Sequence, residues 1–148
     1  MPAEGDADVL LVEDRADDVE LFLHAFATTG LGGRIEVAHD AADALHYLHR
    51  SGPYAGTSAA KPKLIVLDLK LPGTGGLELL GSLKADSATR SIPVVVLSSS
   101  SEQRDVAESY ALGANGYLAK SMDFERFGEA VQALLQYWLQ FNESPKRY

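Results

Sequence analysis

Leu64-Ile65-Val66-Leu67-Asp68-Leu69-Lys70-Leu71-Pro72 sets an aspartate at the end of a continuous apolar run. Its apolar run contains branched residues and lies between Pro62 and Pro72. That pattern predicts a strand buried on both faces, as in a parallel sheet. A carboxylate at the carboxyl end of such a strand is costly unless that end opens into a site. Ligands of open α/β sheets bind beyond the carboxyl ends of the strands. Asp68 therefore stands where chemistry is expected.

Working outward, Val9-Leu10-Leu11-Val12 is a second continuous apolar run, and it stops abruptly at Glu13-Asp14. Asp17 or Asp18 is expected to cap the following helix, along which Val19, Phe22, Leu23 and Phe26 recur at helical spacing. Gly30, Gly32 and Gly33 end it. Ile35–Ala38 reads as a strand, and 41–50 as a helix with Ala41, Leu45 and Leu48 inward. Residues 51–62 form a Gly/Pro/Ser/Ala-rich loop, expected to be mobile. Beyond the central strand, Pro72–Gly76 is a turn cluster, and a helix carrying Leu77, Leu80 and Leu83 runs to about Asp86. Ile92–Leu97 is a fourth buried strand leading into Ser98–Ser101. Ser100 with Gln103 fits a capping box for the next helix, which Gly113 ends. Gly116–Ala119 is a fifth strand ending at Lys120, and a long last helix runs from about Asp123 to Gln140 or Phe141.

Alternating strands and helices predict a parallel sheet covered on both faces. At 148 residues the chain is expected to be one domain, with a core over about 8–141 and short acidic and basic tails. A net charge of -8 argues against nucleic-acid binding. The absence of cysteine removes disulfides and thiolate metal sites. The acidic start lacks the basic region of a secretory signal, and no apolar run reaches membrane-spanning length. A cytoplasmic location is the expectation.

Right-handed crossovers bring the first, third, fourth and fifth strand ends to one rim. It carries Glu13, Asp14, Asp68, Ser98 and Lys120. Three carboxylates at one rim repel each other, and a hard divalent cation relieves this. Mg2+ suits Asp14, Asp68 and the backbone carbonyl of Lys70, with Glu13 acting through a water. With Lys120 as a fixed cation and Ser98 as a hydroxyl donor, the set describes phosphoryl transfer, with Asp68 as nucleophile.

These residues resemble the receiver domain of two-component response regulators: Glu13-Asp14 after the first strand, Asp68 after the third, Ser98 after the fourth and Tyr117-x-x-Lys120 on the fifth. The likeness runs from about Val9 to Gln140. It implies a flavodoxin-like (CheY-like) doubly wound sheet of five parallel strands, order 2-1-3-4-5, with five helices. It implies that Asp68 is the phosphoacceptor, Asp14 and Glu13 the metal-binding acidic pair, and Lys120 the lysine that contacts the phosphoryl group. Ser98 resembles the hydroxyl residue that swings toward it, and Tyr117 the switch aromatic. The implied donor is a phosphohistidine on a sensor histidine kinase. Leu-Leu-Val-Glu-Asp at 10–14, Tyr54, 93–98 and Trp138 further resemble stand-alone receivers paired with phytochrome-type kinases. The chain is then a phosphoacceptor signalling protein, with chemistry only at its own aspartate, and no room for an output domain. Protein contact, onward relay or a phosphate sink is the expected output.

Two positions depart from the family's pattern. Ser121 follows Lys120 where proline is usual, so a trans peptide is expected, since cis costs about 2.5–4 kcal/mol before a non-proline residue. Lys70 places a cation two residues past the acceptor, where it is expected to screen phosphoryl charge. Two rivals conflict with the residues. A flavodoxin-type cofactor site needs a phosphate-holding loop where Glu13-Asp14 stands. A phosphohydrolase of the aspartyl-phosphate type typically carries a second aspartate where Lys70 stands. His46 and His49, one helical turn apart, read as a solvated helix face rather than a zinc pair.

In the last helix, Phe124, Phe127, Val131, Leu134, Trp138 and Phe141 alternate spacings of three and four. Eighteen residues span roughly 27 Å, against about 17–20 Å for a short strand. The final turns are therefore expected to overhang the sheet with Tyr137, Trp138 and Phe141, and a homodimer anchored by Trp138 and Phe141 is predicted.

Overall fold

The computed structural model describes residues 7–57 and 61–145. Five parallel strands form one sheet: β1 Val9–Val12, β2 Ile35–Ala38, β3 Leu64–Asp68, β4 Val94–Ser98 and β5 Gly116–Ala119. Their order is β2-β1-β3-β4-β5, the expected one. The helices are α1 Ala16–Thr29, α2 Ala41–His49, α3 Gly76–Ala85, α4 Gln103–Ala111 and α5 Phe124–Gln136.

Each face of the sheet builds its own core. Because side chains alternate along a strand, Leu10, Val12, Ile65 and Leu67 meet α2 and α3 residues such as Ala44, Tyr47, Leu80 and Leu83. Val9, Leu11, Leu64 and Val66 meet Phe22 and Ala25 of α1 and Phe127, Val131 and Leu135 of α5. The β3 residues Leu64–Leu67 are fully buried, each apolar side chain contributing about 1.5–3 kcal/mol. This double burial is why β3 reads as a continuous apolar run, and it fixes the sheet centre, and hence Asp68.

Local signals differ from expectation at four places. Helix α1 begins after Arg15, which makes no side-chain cap; Asp17 and Asp18 lie in its first turn. Helix α4 begins after Glu102, and Ser100 and Gln103 form no capping box. Instead Ser100 Oγ accepts from the Glu102 N–H at 3.2 Å and donates to Asp105 Oδ2 at 2.5 Å. The β4 ladder starts at Val94 rather than Ile92. Pro93 has no N–H to give, and the Ile92 N–H turns back to the Thr89 carbonyl at 3.0 Å. The loop after α2 is partly pinned: Gly52–Tyr54 is a 3-10 turn, and Tyr54 packs edge-on against Tyr47. The Tyr54 hydroxyl donates to Asp43 at 3.2 Å.

The last helix runs on from α5 as a wider π-helical turn over Tyr137–Phe141. Its buried positions are Phe127, Val131 and Leu135, not the Leu134 of the sequence seam. Trp138 and Leu139 follow Leu135 at spacings of three and four and pack partly on the core, while Tyr137 and the seam residues Phe124 and Phe141 stay 52%, 60% and 69% exposed. Trp138 is therefore half-buried rather than projecting free, with its ring edge-on to Tyr137.

Candidate functional site

The carboxyl ends of β1, β3, β4 and β5 converge as the topology requires. β1 ends in Val12, so Glu13 and Asp14 follow at the rim, and the Glu13 N–H donates to the Ala38 carbonyl at 2.9 Å. Glu13 is 1% exposed and Asp68 4% exposed, while Asp14 is open to solvent. One oxygen from each of the three lies within 4.8 Å of the others. Lys120, one residue past β5, enters from the side. Its Nζ donates to Glu13 Oε1 at 2.7 Å and Asp18 Oδ2 at 2.8 Å, and lies 3.5 Å from Asp68 Oδ2.

The charges explain one another. Burial pushes the Glu13 carboxyl up to about 9, aided by the neighbouring Asp68 carboxylate and only partly opposed by Lys120. Burial resists the charge on Lys120, yet Asp18, Glu13 and Asp68 together raise its pKa above the ordinary lysine value. Burial also resists ionisation of Asp18, but Lys120 outweighs it and holds that carboxyl below its usual range. Glu13 Oε2 is buried with no hydrogen-bond partner among the described residues. An all-oxygen donor set with an orphaned buried carboxylate oxygen fits a hard divalent cation.

The remaining expected residues fall around this centre. The Lys70 N–H donates to Asp68 Oδ1 at 3.2 Å, which orients the aspartate, and the Lys70 side chain is exposed at the mouth. Ser98 ends β4 and is 1% exposed; its Oγ accepts from the Ser100 N–H at 3.1 Å. Tyr117 is half-buried, and its hydroxyl donates to the Ser100 carbonyl at 2.7 Å, joining β5 to the loop after β4. No peptide among the described residues is cis, so Lys120-Ser121 is trans as expected. A cleft of about 440 Å³ opens over the centre, lined by Asp14, Asp18, Asp68, Lys70, Ser99 and Lys120 among others. His46 and His49 take separate partners outside this cleft: His46 meets Ser51, and His49 meets Asp86.

Three contributors escape a sequence reading. Asp18 reads as a helix cap, yet it holds Lys120, a contact between elements that no local spacing signals. Ser99, not Ser98, forms part of the cleft wall. Gly76 opens α3 against the acceptor strand, its N–H donating to the Leu69 carbonyl at 3.0 Å. A Cβ there would collide with the Asp68 carbonyl oxygen, so only glycine lets α3 start so close.

Residues 9–132 match the family model described as the response regulator receiver domain. The chain belongs to that family. It is 37% identical over 145 residues to the probable methanogenesis regulatory protein FilR2 of Methanothrix harundinacea, covering 98% of this chain and 92% of that protein. It is 35% identical over 132 residues to the response regulator Rcp1 of Synechocystis sp., covering 89% and 88%. The crystal structure of the phosphorylated cyanobacterial phytochrome response regulator RcpA superposes with a TM-score of 0.87 at 34% identity, covering 96% of this chain and all of that one. The Mn2+-bound form of Rcp1 superposes equally well, at 0.87 and 34%, covering 95% and 99%. The receiver fold and the strand order expected from the sequence are thus those of the structure and of its solved relatives. No described helix is long and apolar enough to cross a membrane.

Proposed function

We propose that this receiver is a stand-alone, cytoplasmic response regulator that takes a phosphoryl group from a sensor histidine kinase onto Asp68 and signals by protein contact. A phytochrome-type kinase is the favoured donor, because Rcp1 and RcpA are near relatives over most of both chains. The observation that carries the reading is the packing of Glu13, Asp14 and Asp68 oxygens within 4.8 Å, with Lys120 3.5 Å from Asp68. Asp14, Asp68 and the Lys70 carbonyl would hold Mg2+, with Glu13 reaching it through a water. The ion supplies charge neutralisation at the transferring phosphoryl oxygens.

The chain's own groups do the rest. The Lys70 N–H fixes one Asp68 oxygen, leaving the other on the Lys120 side. That oxygen attacks phosphorus; the P–N bond of the donor phosphohistidine breaks, and its electron pair stays on the imidazole nitrogen. Lys120 meets the charge that develops on the phosphoryl oxygens. Ser98 turns its hydroxyl toward the phosphoryl group, giving up the Ser100 N–H. Tyr117, tied to the Ser100 carbonyl, turns inward behind it. The exposed Tyr137 and Phe141, beside half-buried Trp138, form the surface of a homodimer through the last helix.

Intact mass after incubation with phytochrome-type kinases tests the acceptor. Wild type gains one phosphoryl group and Asp68→Asn gains none. Label retained by Asp68→Asn rejects the assignment.

A further inference from the structure

We propose that Asp18 is a positioning residue that holds Lys120 back from Asp68 and thereby sets how fast the acceptor is phosphorylated. The inference rests on Asp68 being the acceptor. Lys120 has three carboxylate neighbours, and its two short contacts are to Glu13 and Asp18, at 2.7 and 2.8 Å; Asp68 is the long one at 3.5 Å. A lysine that must meet phosphoryl oxygens on Asp68 has to loosen one of the short contacts. Glu13 belongs to the acidic trio whose oxygens lie within 4.8 Å, so a cation there competes with Lys120 for it. Asp18 stands outside that trio, and nothing in the cation site relieves its hold.

Its placement suits a tether. The first turn of α1 presents Asp18 over the rim, and its side chain is only 21% exposed, so water screens the pair weakly. Arg15 is the other cation near it, at 3.7 Å and 67% exposed, too solvated to replace Lys120. Asp18 also lines the cleft through which a phosphoryl donor must approach. Its carboxylate therefore competes with the incoming phosphoryl oxygens for one ammonium group.

The test compares Asp18→Asn and Asp18→Glu with wild type, using acetyl phosphate as donor with excess Mg2+. Labelling is followed by intact mass, and the Lys120 position by crystal structures of wild type and Asp18→Asn. Asparagine keeps the shape and loses the charge; glutamate keeps the charge on a longer arm. Asp18→Asn is expected to label at least about threefold faster, with Lys120 Nζ moved into hydrogen-bond distance of Asp68. Asp18→Glu is expected to label near the wild-type rate. Equal rates for Asp18→Asn and wild type overturn the proposal. So does faster labelling with Lys120 unmoved, which would mean direct repulsion of the donor. A glutamate variant as fast as asparagine overturns it too, since shape rather than charge would then matter. Wild type that never labels on Asp68 refutes the acceptor assignment instead, and the Lys120 position in the two crystal structures still decides the tether.

Discussion

Two half-buried lysines sit at opposite ends of the sheet and are held in opposite ways. Lys84, from α3, reaches the amino end and donates to the carbonyls of Arg90 and Ile92 and to Asn115 Oδ1, at 3.2, 2.9 and 3.0 Å. Asn115 Oδ1 also accepts from the Val94 N–H, so this lysine ties α3 to the entries of β4 and β5. Its partners are neutral, and burial lowers its pKa. Lys120 stands at the carboxyl end among three carboxylates, which raise its pKa against the same penalty. A lysine surrounded by neutral acceptors fastens loops. A lysine shared among carboxylates is a movable charge, since any new anion can compete for it.

Exchanging the two lysines' chemistry should separate stability from function. Lys120→Met is expected to slow phosphoryl acceptance by about 100-fold or more, because one charge-stabilising donor is lost. Its stability should change little, since Glu13, with a pKa near 9, already carries its proton and stays buried neutral without Lys120. Timed intact-mass labelling and urea denaturation of the same sample check both halves. Lys84→Met is expected to do the reverse. It takes the ammonium donor from the Arg90 and Ile92 carbonyls and leaves Asn115 Oδ1 with only the Val94 N–H, costing about 1–3 kcal/mol in urea unfolding, with labelling unaltered. Slow labelling in Lys84→Met would break the distinction. The smallest effect belongs to Lys70, an exposed charge at the mouth. Lys70→Ala is expected to change the phosphoryl half-life by less than about fivefold, read as loss of label after donor removal. An unchanged half-life removes the screening role.

The same contrast explains what the sequence made legible. β1, β3 and β4 are buried on both faces, so their apolar runs announce a parallel sheet, and charged residues after β1, β3 and β5 announce its working rim. Asp14, Asp68 and Lys120 follow from strand ends alone. Contacts made by side chains reaching between elements do not. Asp18 looks like a helix cap because a capping aspartate and a lysine-holding one share the same first turn. Glu13 could be placed at the rim, but not its burial, nor its pairing with Lys120. Ser100 looks like a capping-box residue because local spacing cannot show that Asp105 takes its hydroxyl. In the last helix Leu134 and Leu135 are neighbours of equal hydrophobicity, and spacing alone does not tell that Leu135 is the buried one. Gly76 is silent in one sequence because its role is the space it leaves beside Asp68.

If these strand ends gather acids around one divalent cation beside Asp68, Mg2+ titration by calorimetry across pH will show it. Without metal, the folded chain holds the Glu13 proton up to about 9, and bound metal favours the ionised carboxylate. Wild type is predicted to bind a single ion, release protons on binding, and, below that value, gain affinity by up to about tenfold for each unit that the pH rises. Asp14→Asn should lose most of that affinity. Binding that ignores pH, or that survives intact in Asp14→Asn, would contradict the account.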